Sequence, residues 1–222
     1  MPTQRPVRAG AAVLFVAPVV LFAGLLAHPY VSSYLDTATI AGAVIGAPMR
    51  WAWSHLVITL GLGLLLVAVM VIRRRLRDAG EQRWSAAATP LLLIGGALLA
   101  AGVGAEITLA SVAVSGQDVL AVLEAGETFM GPLYLAGATL FATGWIFVAI
   151  ALHRAPILPP LRRWLASTAF AVVAIALFVP QTSAAYPYGA ALIVANWLIG
   201  HHILTDGSPA PAAAPRTRTE PA

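Results

Sequence analysis

The sequence predicts an all-α, polytopic membrane helix bundle with six transmembrane helices and both termini cytoplasmic. Three observations carry that expectation. Of the 222 residues, 59% are hydrophobic and only 10% charged, whereas about a quarter of a soluble domain is charged. The apolar residues are gathered into six runs near the length that crosses a bilayer as a helix, about 20 residues. Arginine, with no lysine beside it, falls almost entirely in alternate connections between those runs.

The first run covers residues 11–27 behind a basic N-terminal segment holding Arg5 and Arg8, with Pro18 as an expected kink. Charge before an apolar run also suits a signal peptide. With five similar runs following, an uncleaved span is the better reading. The second run, 51–72, stops abruptly at the basic string Arg73, Arg74, Arg75 and Arg77. The third covers 89–110, the fourth 131–152 before His153 and Arg154, the fifth 164–179 before Pro180, and the sixth 187–204. Together residues 1–205 form one transmembrane domain, and the Pro/Ala-rich tail, 206–222, is expected to be disordered.

Arginines before the first run, between the second and third, between the fourth and fifth, and in the tail place all of these segments in the cytoplasm. Arg50 is the one exception. Trp51, Trp53, Trp84 and Trp164 stand at or near run ends, as interfacial aromatics do. The expected location is a bacterial plasma (inner) membrane, the lysine-free, Ala/Gly/Arg-rich composition pointing to a GC-rich genome. The arginines then report topology and anionic headgroups, so the lipid bilayer is a partner and nucleic acid is not. The two outer connections are long. Residues 38–47 read as a short apolar helix, and Asp118 heads a second short, capped helix inside residues 111–130.

One carboxylate lies inside a glycine-rich apolar run. Glu106 follows Gly95, Leu99 and Gly102 on one helical face, where small residues permit close helix packing. An ionisable group there is costly and needs a partner or a task. His55 enters the second run at a similar depth, about four residues from its start, and a short hairpin makes the two runs antiparallel neighbours. A His55–Glu106 pair is therefore expected to be reachable. The plainer readings are helix-tying hydrogen bonds for Glu106 and an interfacial position for His55. Asn196 and Tyr188 share a stripe on the sixth run, and Asn196, near mid-span, must find partners in the bundle. Glu127 lies just before the fourth run on the same outer side.

Absences narrow the chemistry. With no cysteine, thiolate metal sites and disulfides are excluded. His28, His55, Glu106 and Glu127 lack metal-ligand spacing, and the histidines at span ends lack the matched depth of haem ligands, so neither metal nor cofactor is expected. No intramembrane-protease serine element, histidine box, Walker loop or diphosphate motif is present.

Two function classes fit. One is binding or transport of a small solute or proton in an outward-facing polar pocket of His55, Glu106, Glu127, Asn196 and Tyr188. The layout resembles that of the small-substrate-binding membrane subunits of vitamin uptake systems, which implies a membrane or cytoplasmic protein partner docked on the arginine loops. The other is a cofactor-free membrane enzyme, a lipid or isoprenoid cyclase or isomerase, with Glu106 as acid and Glu127 as second carboxyl. A structural subunit without a site is the blandest option.

Overall fold

The structure is a computed structural model, described here for residues 4–179 and 181–205, with side chains from Arg8 onward. The expected tail, 206–222, lies outside the described residues. Among the described residues there are seven α-helices: α1 (Gln4–Ala27), α2 (Thr37–Gly46), α3 (Pro48–Asp78), α4 (Arg83–Val114), α5 (Val119–Arg154), α6 (Pro160–Ala176) and α7 (Ala185–Thr205). Each long helix packs on two others in the order α1, α3, α4, α5, α6, α7 and back to α1, which closes a ring. The short α2 lies across one end, against α3, α4 and α5.

Four of these helices, the stretches Arg8–Ala27, Pro48–Asp78, Arg83–Val114 and Val119–Arg154, are long and apolar enough to cross a membrane. They make the chain an integral membrane protein. Their outer faces fit a lipid solvent, with Leu60, Val67, Ile94 and Leu135 all more than half exposed. Helix α6 has 17 residues, about 26 Å at the α-helical rise and just short of a full hydrocarbon thickness. Helix α7 carries Tyr188, Asn196, His201 and His202 among its apolar residues.

One of the two outer connections differs from the sequence reading. Residues 111–130 are not a long loop with a helix in it. Asp118 does cap a helix, accepting from the Ala121 N–H at 3.1 Å, but that helix runs unbroken to Arg154. The turn is only 115–118, closed by Gly116 at φ 71° and by Gln117 N–H to Val112 O at 3.1 Å. Residues 38–47 do form a helix, α2, whose N-cap Asp36 accepts from the Ala38 and Thr39 amides.

Arg50, the exception to the arginine pattern, has a structural task. Its Nε donates to the Ala27 carbonyl at 2.6 Å and its Nη2 to the His28 carbonyl at 3.4 Å. These are the orphan acceptors at the C-terminus of α1, where a cation also meets the negative end of the helix dipole.

The core has two parts. A large cluster fills the ring and includes Leu65, Leu92, Phe141, Trp145, Phe170 and Leu192. A smaller one, with Val31, Ile40, Val44, Trp51, Leu109 and Val119, lies beneath α2 at the end opposite the arginines. Helices α4 and α5 meet through glycines: a Cβ on Gly95 would stand 2.5 Å from the Phe141 amide nitrogen and 2.8 Å from the Gly137 carbonyl oxygen. That crossing fixes how the face bearing Glu106 sits against α5.

Candidate functional site

At the α2 end of the ring, α3 and α4 bring His55 and Glu106 together. His55 Nε2 lies 2.8 Å from Glu106 Oε2, with the histidine side chain 3% exposed and the carboxylate 21%. The histidine is thus buried while the acid stays partly exposed. Both groups sit deeper than the apolar runs suggest, because α3 begins at Pro48 and α4 continues to Val114. The two extensions, 48–50 and 111–114, are nearly equal at about one turn each, so the depth match survives.

The hydrogen bonds constrain the protons. His55 Nδ1 is 2.8 Å from the Trp51 carbonyl oxygen, which only accepts, so Nδ1 carries a hydrogen. Nε2 then faces the carboxyl with one proton between them, either as imidazolium and carboxylate or as neutral imidazole and carboxylic acid. Trp51 braces the pair a second time. Its indole N–H donates to the Glu106 backbone carbonyl at 3.0 Å, and its ring stacks on His55 at 4.3 Å.

A second layer packs on the pair. His28, 6% exposed, packs its ring 4.9 Å from both Trp51 and His55. Its Nδ1 donates to the Pro29 carbonyl at 2.6 Å. Tyr34 donates to Thr182 Oγ1 at 3.2 Å and has its oxygen 3.4 Å from His28 Nδ1. Thr182 exchanges three hydrogen bonds with the Val31 backbone: Thr182 N–H to Val31 O at 3.1 Å, Thr182 Oγ1 to Val31 O at 3.0 Å, and Val31 N–H to Thr182 Oγ1 at 2.9 Å. The loop after α1 is thereby fastened to the connection before α7, roofing the pair. From below, Tyr134 of α5 lies near the Glu106 side chain. Gly102 makes room for it, since a Cβ there would stand 2.8 Å from Tyr134 Cζ.

The remaining residues singled out by the sequence are placed elsewhere. Glu127 is exposed on α5, about two turns before Tyr134, and no hydrogen bond or ion pair joins it to Glu106. Asn196 is fully buried but donates to the Leu192 carbonyl of its own helix at 2.9 Å. Tyr188 is buried on α7, whose main neighbours are α1 and α6. Thr143 bonds the Thr139 carbonyl of its own helix at 2.7 Å. Among the described residues, no group of three or more His, Asp or Glu is placed to hold a metal ion.

Burial holds the His28 imidazole down, to about 4 from its ordinary 6.5, and the positive charges of His55 and Arg50 add to this against the opposing Pro29 hydrogen bond. The closed roof therefore takes up a proton less readily than a free loop does. Its stability is fully present above pH 6.5, falls as pH drops through that value, and levels off near pH 4. The depression corresponds to about 3 kcal/mol at most. Amide protection of residues 28–36, normalised for intrinsic exchange, is expected to fall between pH 7 and pH 4 in the reconstituted protein, and His28→Phe is expected to flatten the profile. A wild-type profile that is already flat would refute the role of His28 in the roof.

No family model matches the chain, and neither a curated protein nor a solved structure matches it.

Proposed function

We propose that this protein binds a proton, alone or with a small solute that it helps to move, at the His55–Glu106 pair from the outer face of a bacterial plasma membrane. In this reading all six ring helices cross, both termini are cytoplasmic and the arginine loops face the cytoplasm. The arginine pattern supports that orientation. Arg50, spent on the end of α1, does not weigh against it.

The observation that carries the reading is the asymmetry of the pair: a buried imidazole fixed by a backbone acceptor and a partly exposed carboxyl. A group that only tied helices together has no need of either that exposure or a second titratable layer. Buried acid–base pairs of this kind are costly in a membrane and mark proton or ion paths. Glu106 exchanges the proton, His55 shares it, and Trp51 and Tyr134 hold the geometry. The acid–base enzyme reading asks for a second carboxyl beside Glu106, and Glu127 makes no bond to it.

Infrared difference spectra of protein in lipid, recorded while pH is stepped, test this. One carboxyl stretch is expected to appear on acidification, vanish in Glu106→Gln and persist in Glu127→Gln. A signal that survives Glu106→Gln would exclude Glu106 as the exchanging group.

A further inference from the structure

The arginine end of the ring holds a second feature unconnected with the pair. A cavity of about 270 Å³ opens there, where the C-terminus of α3, the connection before α6 and the C-terminus of α7 meet. Helices α3 and α7 are separated in the ring by α1, so a cavity touching both sits across the arginine end of the ring. Its rim carries Arg75, Asp78 and His202, and its inner wall is apolar, with Leu158, Ile199 and Ile203. Asp78 is engaged at 3.9 Å with Arg74 and 4.0 Å with Arg77. With Asp78 turned to these two arginines, Arg75 is the half-buried cation that lines the opening.

A second observation points inward from this mouth. Ile199 and Ile203 continue the α7 stripe that holds Leu192 and Asn196, and the Asn196 Oδ1 is buried with no hydrogen-bond partner. Trp145 Nε1, Ser167 Oγ and Arg163 Nε share that condition. Trp145 stacks on Phe170 at 4.5 Å, one turn along α6 from Ser167. By helical rise, Trp145, Ser167 and Asn196 stand on one level, roughly 10–14 Å inside the arginine-end termini of α5, α6 and α7. Arg163 lies between that level and the mouth. Buried polar atoms in native proteins are almost always partnered by protein, water or ligand. Thr59 Oγ1 and Trp84 Nε1, on α3 and α4, are buried in the same condition, so only part of this set lies toward the arginine end.

We propose that this mouth binds a small soluble organic anion, its charge on Arg75 and its compact apolar body against Leu158, Ile199 and Ile203. The volume is just under the roughly 300–1,000 Å³ typical of drug-sized sites, so the ligand is ring-sized or smaller. A lipid headgroup shares the anionic chemistry, and changing the lipid separates the two sources.

Titration calorimetry with benzoate, on full-length protein in nanodiscs of zwitterionic lipid, tests the proposal. Saturable binding is expected, weakened about tenfold or more by Arg75→Gln and for the isosteric neutral probe benzamide. Ile203→Phe, which fills the cavity without touching the charge, is expected to weaken benzoate to a similar degree, whereas Glu106→Gln leaves it unchanged. Absence of saturable binding would overturn the site, as would affinity indifferent to both Arg75→Gln and Ile203→Phe. Loss of benzoate binding when anionic lipid replaces the zwitterionic one would assign the mouth to lipid and overturn the soluble ligand.

Discussion

Replacing Gly95 with valine is expected to force α4 and α5 apart and to lower stability by about 3 kcal/mol or more, at the top of the range for overpacking. The neighbours that a Cβ would meet are the Phe141 amide nitrogen and the Gly137 carbonyl oxygen, at 2.5 and 2.8 Å. Both belong to helix backbone, so no rotamer change relieves the clash and one helix must move. Within a bilayer that matters more than in water, because close backbone approach is a main source of helix–helix attraction there. The shift is also expected to reach the site, since Glu106 stands on the same helix and its neighbour Tyr134 on the displaced one. Thermal unfolding of the purified protein in detergent measures the first effect, and the carboxyl stretch of Glu106 the second. Gly63→Val is the control, because nothing lies within 4 Å of a Cβ at that position. Equal midpoints for Gly95→Val and Gly63→Val would refute the crossing.

The difference between those two glycines could not be read from the sequence, and it shows where sequence reasoning stops. Both are glycines in apolar helices; only the partner backbone distinguishes them. The four long helices were legible because composition and length decide what a bilayer accepts. Their ends were less so. Hydropathy registers a run of bilayer length, whereas α4 and α5 continue past it until a chemical stop, the Ser115-Gly116-Gln117-Asp118 turn with its left-handed glycine and capping aspartate. That turn was the better signal. The pairing of His55 with Glu106 was legible because the two runs are joined by a short hairpin and the errors at their far ends nearly cancel. Thr182 and Tyr134 were not, and His28 and Tyr34 were visible only as groups on the outer side. Each reaches the pair from an element distant in sequence, and no local periodicity records that Thr182 bonds Val31 across 151 positions. Arg50 was visible as an anomaly, but its explanation needed the open end of α1 beside it.

Truncating Trp51 is expected to do more damage at the site than removing any other single ring. The side chain is fully buried, and it joins the small cluster under α2 to the acid–base pair through one hydrogen bond and two ring contacts. Trp51→Ala leaves a large cavity, with a typical cost of about 3–5 kcal/mol for an aromatic-to-alanine change in a core. Trp51→Phe keeps most of the volume and loses only the donor to the Glu106 carbonyl, a change of about 1 kcal/mol. Stability is therefore expected to rank wild type, then Phe, then Ala, with a wide gap at the last step. The chemistry is expected to follow a different order. The backbone carbonyl that fixes His55 Nδ1 is present in every variant, so the phenylalanine variant should retain the wild-type carboxyl signal. The alanine variant frees the imidazole face and the His28 ring together, and its carboxyl stretch should broaden and move. Melting curves and infrared spectra on the same three proteins separate the two effects. If Trp51→Ala melts with the wild type, the cluster under α2 does not hold the roof. If it melts early yet keeps an unchanged carboxyl band, His55 and Glu106 hold their geometry without the indole, and the bracing assigned to Trp51 is wrong.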